Sequence, residues 1–383
     1  MKRLLLLTVT GLLTGCQSDR LAGPETVSAV PDGVAALRSV ARGSRLPAPA
    51  ANALRVMTYN VYLGTNLDPV LAAGDPEAFV VAAAQAYGEL QMTNFPARAG
   101  VIADQIAAVR PDVVGLDEVA LWSVSSPMGA PFAIQFDFLA LVLDSLKARG
   151  LTYVAAAADT TSDVSAPVPS AFDDQGNPTA FDLVRFQDRD AILVRDGVRF
   201  RDPKHAKFAA FIPLTLLDGT QTGLYRGWCS VAATVDGRTF RFVASHLEAE
   251  DGQVNLLQAQ ELLALLQHEA DPVIWAGDFN SGPGVGADFA ATYRLLTSSG
   301  FADLWPLSRP RDPGLTNGPA DGVLVPSLDF TARVDLILLK DRFGTPQPVH
   351  AAVFGDQPDD RTAEGLWPSD HAAVGMVFQL PVR

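Results

Sequence analysis

From Leu54 onward, short apolar runs alternate with longer segments that repeat apolar residues at helical spacing. The runs Arg55–Asn60, Asp112–Glu118, Asp190–Arg195, Thr239–His246, Val273–Asp278 and Arg333–Leu339 are brief and bounded by turn formers, which predicts buried strands. Arg98–Val109, Asp137–Ala148 and Gln253–His268 are predicted helices. The last carries Leu256, Leu257, Leu262, Leu263 and Leu266 on an apolar stripe. Val119–Phe136 has no charge but contains Pro127, Gly129 and Pro131, so it is predicted as a loop. Leu63–Pro96 and Ala155–Gln187 exceed ordinary loop length and are predicted as irregular insertions near a functional face. The alternation describes one α/β domain over residues 54–383, without internal repeats.

The N-terminal pattern is different. Lys2 and Arg3 precede the apolar run Leu4–Leu13. A bilayer span needs about 20 residues, so this run fits a secretory signal better. Leu13-Thr14-Gly15-Cys16 resembles a bacterial lipobox, with a plain signal peptide as the alternative. The expectation is a signal peptide at 1–15, lipidation of Cys16, and a tether at 16–53 rich in Ala, Ser, Pro, Gly and Arg. A short helix around Val34 to Val40 is the other reading of that segment. Anchoring through Cys16 puts the protein at the cell envelope, in the periplasm or at the outer membrane. Gln17 favours outer-membrane sorting by lipoprotein analogy.

Composition narrows the classes. Hydrophobic residues make up 48% and charged residues 19%, enough for a large packed core and too apolar for a disordered chain. Asp and Glu outnumber Lys and Arg by 43 to 29, giving a formal charge of −14. A protein that coats nucleic-acid phosphates carries the opposite balance, so an anionic substrate requires a locally cationic or cation-loaded cleft. No stretch interleaves basic and aromatic residues as single-strand binders do. Cys16 and Cys229 are the only cysteines, which excludes a disulfide framework and leaves Cys229 as a buried, inert thiol.

The candidate chemistry sits where apolar runs end. Asn60 ends the first strand, Asp117 and Glu118 the second, and Ser245 and His246 a later one. Asp278 and Asn280 follow Val273-Ile274-Trp275-Ala276-Gly277. Asp335 interrupts an apolar strand, where a carboxylate is costly unless partnered. Asp370 and His371 close the set near the C-terminus. Singly, each has a bland reading as a turn former, a helix cap or a structural histidine. Together they mark the strand ends at which α/β folds collect ligands.

Met57-Thr58-Tyr59-Asn60, Pro111-Asp112-Val113-Val114-Gly115-Leu116-Asp117-Glu118-Val119, Ser245-His246-Leu247, Gly277-Asp278-Phe279-Asn280, Arg333-Val334-Asp335 and Ser369-Asp370-His371 occur in this order. The set resembles the endonuclease/exonuclease/phosphatase superfamily, which includes pancreatic deoxyribonuclease, abasic-site endonucleases, neutral sphingomyelinases and inositol polyphosphate 5-phosphatases. The resemblance runs from about Leu54 to the C-terminus. It implies a four-layer α/β/β/α sandwich with two packed mixed sheets. It also implies hydrolysis of phosphate esters, most simply as a phosphodiesterase acting on nucleic acid, a phospholipid headgroup or a small diester, by a monomer.

By the same resemblance, Glu118 is the principal ligand of Mg²⁺ or Mn²⁺, with Asn60 beside it and Asp370 as a second carboxylate on the metal side. Asp335 pairs with His371, and Asp278, Asn280 and His246 serve the nucleophile, the phosphate and the leaving group. Asp278 and His371 both remain candidates for the general base. The pattern departs from the family at Asp117, where Gln is usual, and at Ser245, where Thr is common. Asp190 is either a substrate or metal contact or a solvated turn, and Asn66 and Asp68 lie in the first insertion. The alternative is a non-catalytic envelope scaffold that retains the fold, which predicts loss of at least one metal or base residue. None is lost.

Overall fold

The computed structural model describes Leu46 and residues 53–215, 219, 221–318, 322–346 and 349–380. The expected signal peptide, Cys16 and all of the expected tether except Leu46 and Ala53 lie outside the described residues.

Two six-stranded sheets stack face to face. The first has the strand order Val349–Phe354, Ala373–Phe378, Leu54–Asn60, Val113–Asp117, Ala191–Arg195, Tyr153–Ala158. The second has the order Ala302–Asp303, Asp335–Lys340, Val273–Asp278, Arg238–His246, Gly227–Val235, Arg199–Lys207. Both are mixed: Leu54–Asn60 runs parallel to Val113–Asp117, and Arg238–His246 parallel to Val273–Asp278, among antiparallel neighbours.

Side-chain alternation along each strand divides the residues between two cores. Val56, Val113, Ile192 and Val194 of the first sheet meet Phe240, Phe242, Ala244, Ile274 and Ile337 of the second. On its other face the first sheet sends Met57, Tyr59, Val114 and Leu116 against Ile102 and Ile106 of helix Phe95–Val109 and Phe138 and Val142 of helix Phe138–Ala148. The second sheet sends Val243, Trp275, Leu336 and Leu338 against helices Gly252–Leu266 and Ala290–Ser298. The architecture is therefore the expected α/β/β/α sandwich. Gly115 lets the sheets close up, since a Cβ there would lie 3.1 Å from that of Ala244. Helix starts are set by side-chain caps: Asp137 accepts from Ala140 N at 3.1 Å, and Asp251 from Gln253 N at 2.8 Å.

Three segments differ from expectation. Val119–Phe136 is not a loop; it forms strands Leu121–Ser125 and Ala133–Asp137 of a separate four-stranded sheet. Ala155–Gln187 supplies the end of one strand of the first sheet and then the hairpin Asp163–Phe172 and Pro178–Gln187 of that extra sheet. Pro167 and Pro169 obscured the hairpin, but Asp163–Phe172 is an edge strand, where a missing N–H costs no ladder bond. Trp122 and Phe186 then pack ring to ring at 4.7 Å, joining this sheet to the helix-side core. Leu63–Pro96 is largely helical, with Asp68–Leu71 and Pro76–Met92. Strands Arg199–Lys207, Gly227–Val235, Val349–Phe354 and Ala373–Phe378 were also not predicted.

Candidate active site

The alternation that fills the space between the sheets continues past the last apolar residue of each strand. Val56 leads by twos to Asn60, Val113 to Asp117, Ala244 to His246, and Ile274 through Ala276 to Asp278. Asp335 stands two residues before Ile337. These five polar side chains thus share the inter-sheet face at one end of the sandwich. Register sets Asn60 beside Asp117 and Asp278 opposite Asp335. Ser369-Asp370-His371 precedes the strand paired to Leu54–Asn60, and Ser369 Oγ donates to Asn60 O at 2.7 Å, tying it to the same end.

Asp278 is the hub. Its Oδ2 accepts from Asn60 Nδ2 at 3.1 Å and lies 3.6 Å from His246 Nε2 and 3.7 Å from His371 Nε2. Asp117 Oδ2 accepts from the Asp278 backbone N–H at 2.9 Å, which explains a carboxylate at that position: it ties the two sheets together. Asn60 Nδ2 also reaches Glu118 Oε1 at 3.1 Å, and Leu63 N donates to Glu118 Oε2 at 2.7 Å. Glu118 has φ 61°, a left-handed conformation that is strained for this residue type and turns its carboxylate toward Asn60. Asn280, at φ 46°, donates to Leu247 O at 2.9 Å and lies 3.2 Å from His246 Nε2. Asp370 accepts from Ser369 Oγ at 3.3 Å and acts electrostatically on both Glu118 and His371. All eight expected site residues are brought to one region. Asp278, Asp335, His246, His371 and Asn60 form its buried floor, while Glu118, Asn280 and Asp370 are half-buried.

Both histidines approach Asp278 through Nε2, but their Nδ1 atoms meet groups of opposite charge at hydrogen-bond distance. His371 Nδ1 lies 2.9 Å from Asp335 Oδ2. Burial lowers the imidazole, but Asp335 and Asp278 outweigh it and carry His371 well above its ordinary value. His246 Nδ1 instead accepts from the Arg226 guanidinium at 3.1 Å, and burial together with that cation pushes His246 down to about 3. Burial acts to raise Asp278, yet the two histidines hold it below the ordinary carboxylate range. Asp335 rises to about 6 by burial against the pull of His371. Glu118 rises to about 7 through burial and the charges of Asp370 and Asp188.

Sequence reading missed Arg226, which is 3.6 Å from Asp188 and 4.0 Å from Glu248, and Asn317, whose Nδ2 is 3.2 Å from His371 Nε2. Arg226 sits one residue before an unpredicted strand whose Gly227 registers against His246, so assigning that strand would have exposed it. Asp190 is buried rather than in a solvated turn; its Oδ1 accepts from Glu118 N at 3.3 Å, so it supports Glu118 from behind.

Asp278, Asp335 and His371 offer ligand atoms within 4.8 Å of one another and can hold a metal ion. Carboxylates, amides and two oppositely biased imidazoles are thus gathered at the strand ends of the sandwich. The Endonuclease/Exonuclease/phosphatase family model matches residues 57–371, and the chain belongs to that family. Enzymes of this family are phosphoric ester hydrolases, and the chain carries a group that could hold a metal ion. An endonuclease/exonuclease/phosphatase family protein from Bacteroides thetaiotaomicron is similar at 17% identity and TM-score 0.50, covering 87% of this chain and 100% of that one. A D. rerio TDP2 complexed with single-strand DNA product is similar at 20% identity and TM-score 0.49, covering 86% and 99%. No curated protein matches the chain.

Proposed function

We propose that this protein is a Mg²⁺- or Mn²⁺-dependent phosphodiesterase of the cell envelope. The observation that carries this reading is the meeting of Asn60, His246, Asp278 and His371 around one carboxylate oxygen, with Asp335 behind His371. Asp278, kept ionised, aligns or deprotonates the attacking water. His371, charged through Asp335, stabilises the anionic phosphoryl group as the water oxygen bonds to phosphorus. The P–O bond to the leaving group then breaks, and that oxygen takes a proton from an imidazole or from solvent. Asn60 and Asn280 orient phosphate oxygens with their amides.

The donor chemistry fits a hard divalent ion. Glu118 and Asp370 present carboxylate oxygens; Asn60 faces Glu118 with Nδ2, its Oδ1 accepting from Tyr62 N at 3.0 Å, so its amide would have to turn to ligate an ion. Glu118 is pushed toward neutrality by burial and by the charges of Asp370 and Asp188, which a cation would relieve. Such an ion supplies Lewis-acid polarisation of the phosphoryl oxygen and lets an acidic protein accept an anion. Envelope attachment rests on Leu13-Thr14-Gly15-Cys16, and incorporation of labelled palmitate that is lost in Cys16→Ala tests it. Among the described residues no helix is long and apolar enough to cross a membrane. The deciding assay is hydrolysis of bis-p-nitrophenyl phosphate with EDTA, then with added Mg²⁺ or Mn²⁺. Turnover that is absent under every condition favours the scaffold reading. A panel of plasmid DNA, RNA, sphingomyelin and phosphoinositides then separates the substrate classes.

A further inference from the structure

The segment 314–318 runs between the two stretches of chain that carry Asp335 and His371. Thr316 Oγ1 accepts from the backbone N–H groups of Val334 and Asp335, each at 3.2 Å. The next side chain, Asn317, places Nδ2 3.2 Å from His371 Nε2. Adjacent residues therefore touch both members of the carboxylate–imidazole pair.

The backbone under Asn317 is pinned on both sides. Asn317 N donates to Ala332 O at 3.0 Å, and Thr331 N donates to Asn317 O at 2.9 Å. Ala372 N donates to Thr316 O at 2.8 Å, and Gly318 N to Asp370 O at 2.9 Å. A Cβ at position 318 would lie 2.6 Å from Asp370 O, so glycine is what permits this approach. The Asn317 side chain starts from a fixed point and has only two torsions to set.

His371 Nδ1 faces a carboxylate, which only accepts, so that nitrogen carries the hydrogen. In the neutral ring Nε2 then accepts from the Asn317 amide; in the charged ring the amide turns its oxygen to the Nε2 hydrogen. We propose that Asn317 is a positioning residue for His371. It holds the Nε2 edge while Asp335 holds the Nδ1 edge, so the ring cannot rock about one bond and Nε2 stays 3.7 Å from Asp278 Oδ2. This inference rests on the hydrolase reading above for its kinetic consequence, not for its geometry.

The test compares wild type, Asn317→Leu and Asn317→Gln as the full chain. Asn317→Leu keeps the branched shape and removes the amide. It is expected to lower kcat on bis-p-nitrophenyl phosphate by about tenfold to a hundredfold, with KM held within about twofold. The ¹⁵N resonance of His371 Nε2 in the metal-free protein should shift as well. Asn317→Gln restores part of the turnover and part of the resonance. If Asn317→Leu does not fold, Asn317→Ala, which removes both the donor and the acceptor of the amide, is expected to show the same loss and shift. A raised KM with kcat kept, or an unmoved Nε2 resonance, overturns the proposal. A wild type without turnover defeats the hydrolase reading instead, and the resonance still decides Asn317.

Discussion

Asp335 holds His371 with one oxygen, Oδ2 to Nδ1 at 2.9 Å, while none of the described residues hydrogen-bonds to its buried Oδ1. The carboxylate is thus committed to the imidazole, and the charge it stabilises is the ring's. Asp335→Asn removes that charge while keeping the shape. The His371 pKa in metal-free protein is expected to fall toward the ordinary histidine range in an NMR titration, with kcat reduced by about a hundredfold or more. An unchanged titration would detach Asp335 from the mechanism.

Glu118→Ala removes the half-buried carboxylate held by Asn60 and Leu63 N. The Mg²⁺ or Mn²⁺ concentration giving half-maximal turnover is expected to rise at least about tenfold. His371→Ala, by contrast, should cost about a hundredfold or more in kcat while calorimetric metal affinity stays near the wild-type value. Equal metal requirements for Glu118→Ala and wild type would move the ion elsewhere, with the Asp278, Asp335 and His371 group as the next candidate.

Arg226 is the cation facing two buried carboxylates, Asp188 and Glu248, and His246 Nδ1. Arg226→Met leaves both acids buried without it, and chemical denaturation should show a loss of about 2 kcal/mol or more. His246, held near 3 by burial and this guanidinium, should titrate closer to its ordinary value of 6.5. A variant as stable as wild type would remove this cation from the forces that hold the fold.

Glu118 and Asp159 rise to about 7 in the folded state from ordinary values of 4.5 and 3.8. Below that point the folded chain binds protons that the unfolded chain has released, so stability falls as pH climbs toward 7 and beyond. His371, raised above 6.5, acts in the same direction, because its contribution is lost as pH rises through the folded value. His246 acts oppositely, but its unfolded imidazole has lost its proton by about pH 7.5, so it offsets only part of the loss from the other three groups. Between pH 6.5 and 8 the melting temperature in EDTA should therefore drop, by about 2 °C or more. Divalent cation, by holding Glu118 ionised, should shrink that drop. A flat or rising profile in EDTA contradicts the arrangement.

Much of the site was legible because strand ends carry both pattern and chemistry. Asp278 and Asp335 each continue an apolar alternation, and their opposite register follows from the antiparallel pairing of their strands. Arg226 and Asn317 were not legible for a different reason. Arg226 introduces the strand Gly227–Val235, whose opening Gly-Trp-Cys-Ser gives no clear period. Asn317 lies between Gly314 and Gly318 in a turn-rich segment, placed by backbone bonds to Ala332 and Asp370 that no local pattern announces. The extra sheet was hidden by two sets of breakers: Pro127, Gly129 and Pro131 in the connection between its first two strands, and Pro167 and Pro169 in a strand whose edge position tolerates them.

The continuation of the inter-sheet face into Asn60, Asp117, His246, Asp278 and Asp335 has an evolutionary consequence. Loops around such a centre can lengthen or shrink freely, but deleting one residue within Arg238–His246 would swing His246 from the cleft to the helix layer. Diversification of this protein is therefore confined to the rim, and its reactive atoms are inherited together with the packing that seats them.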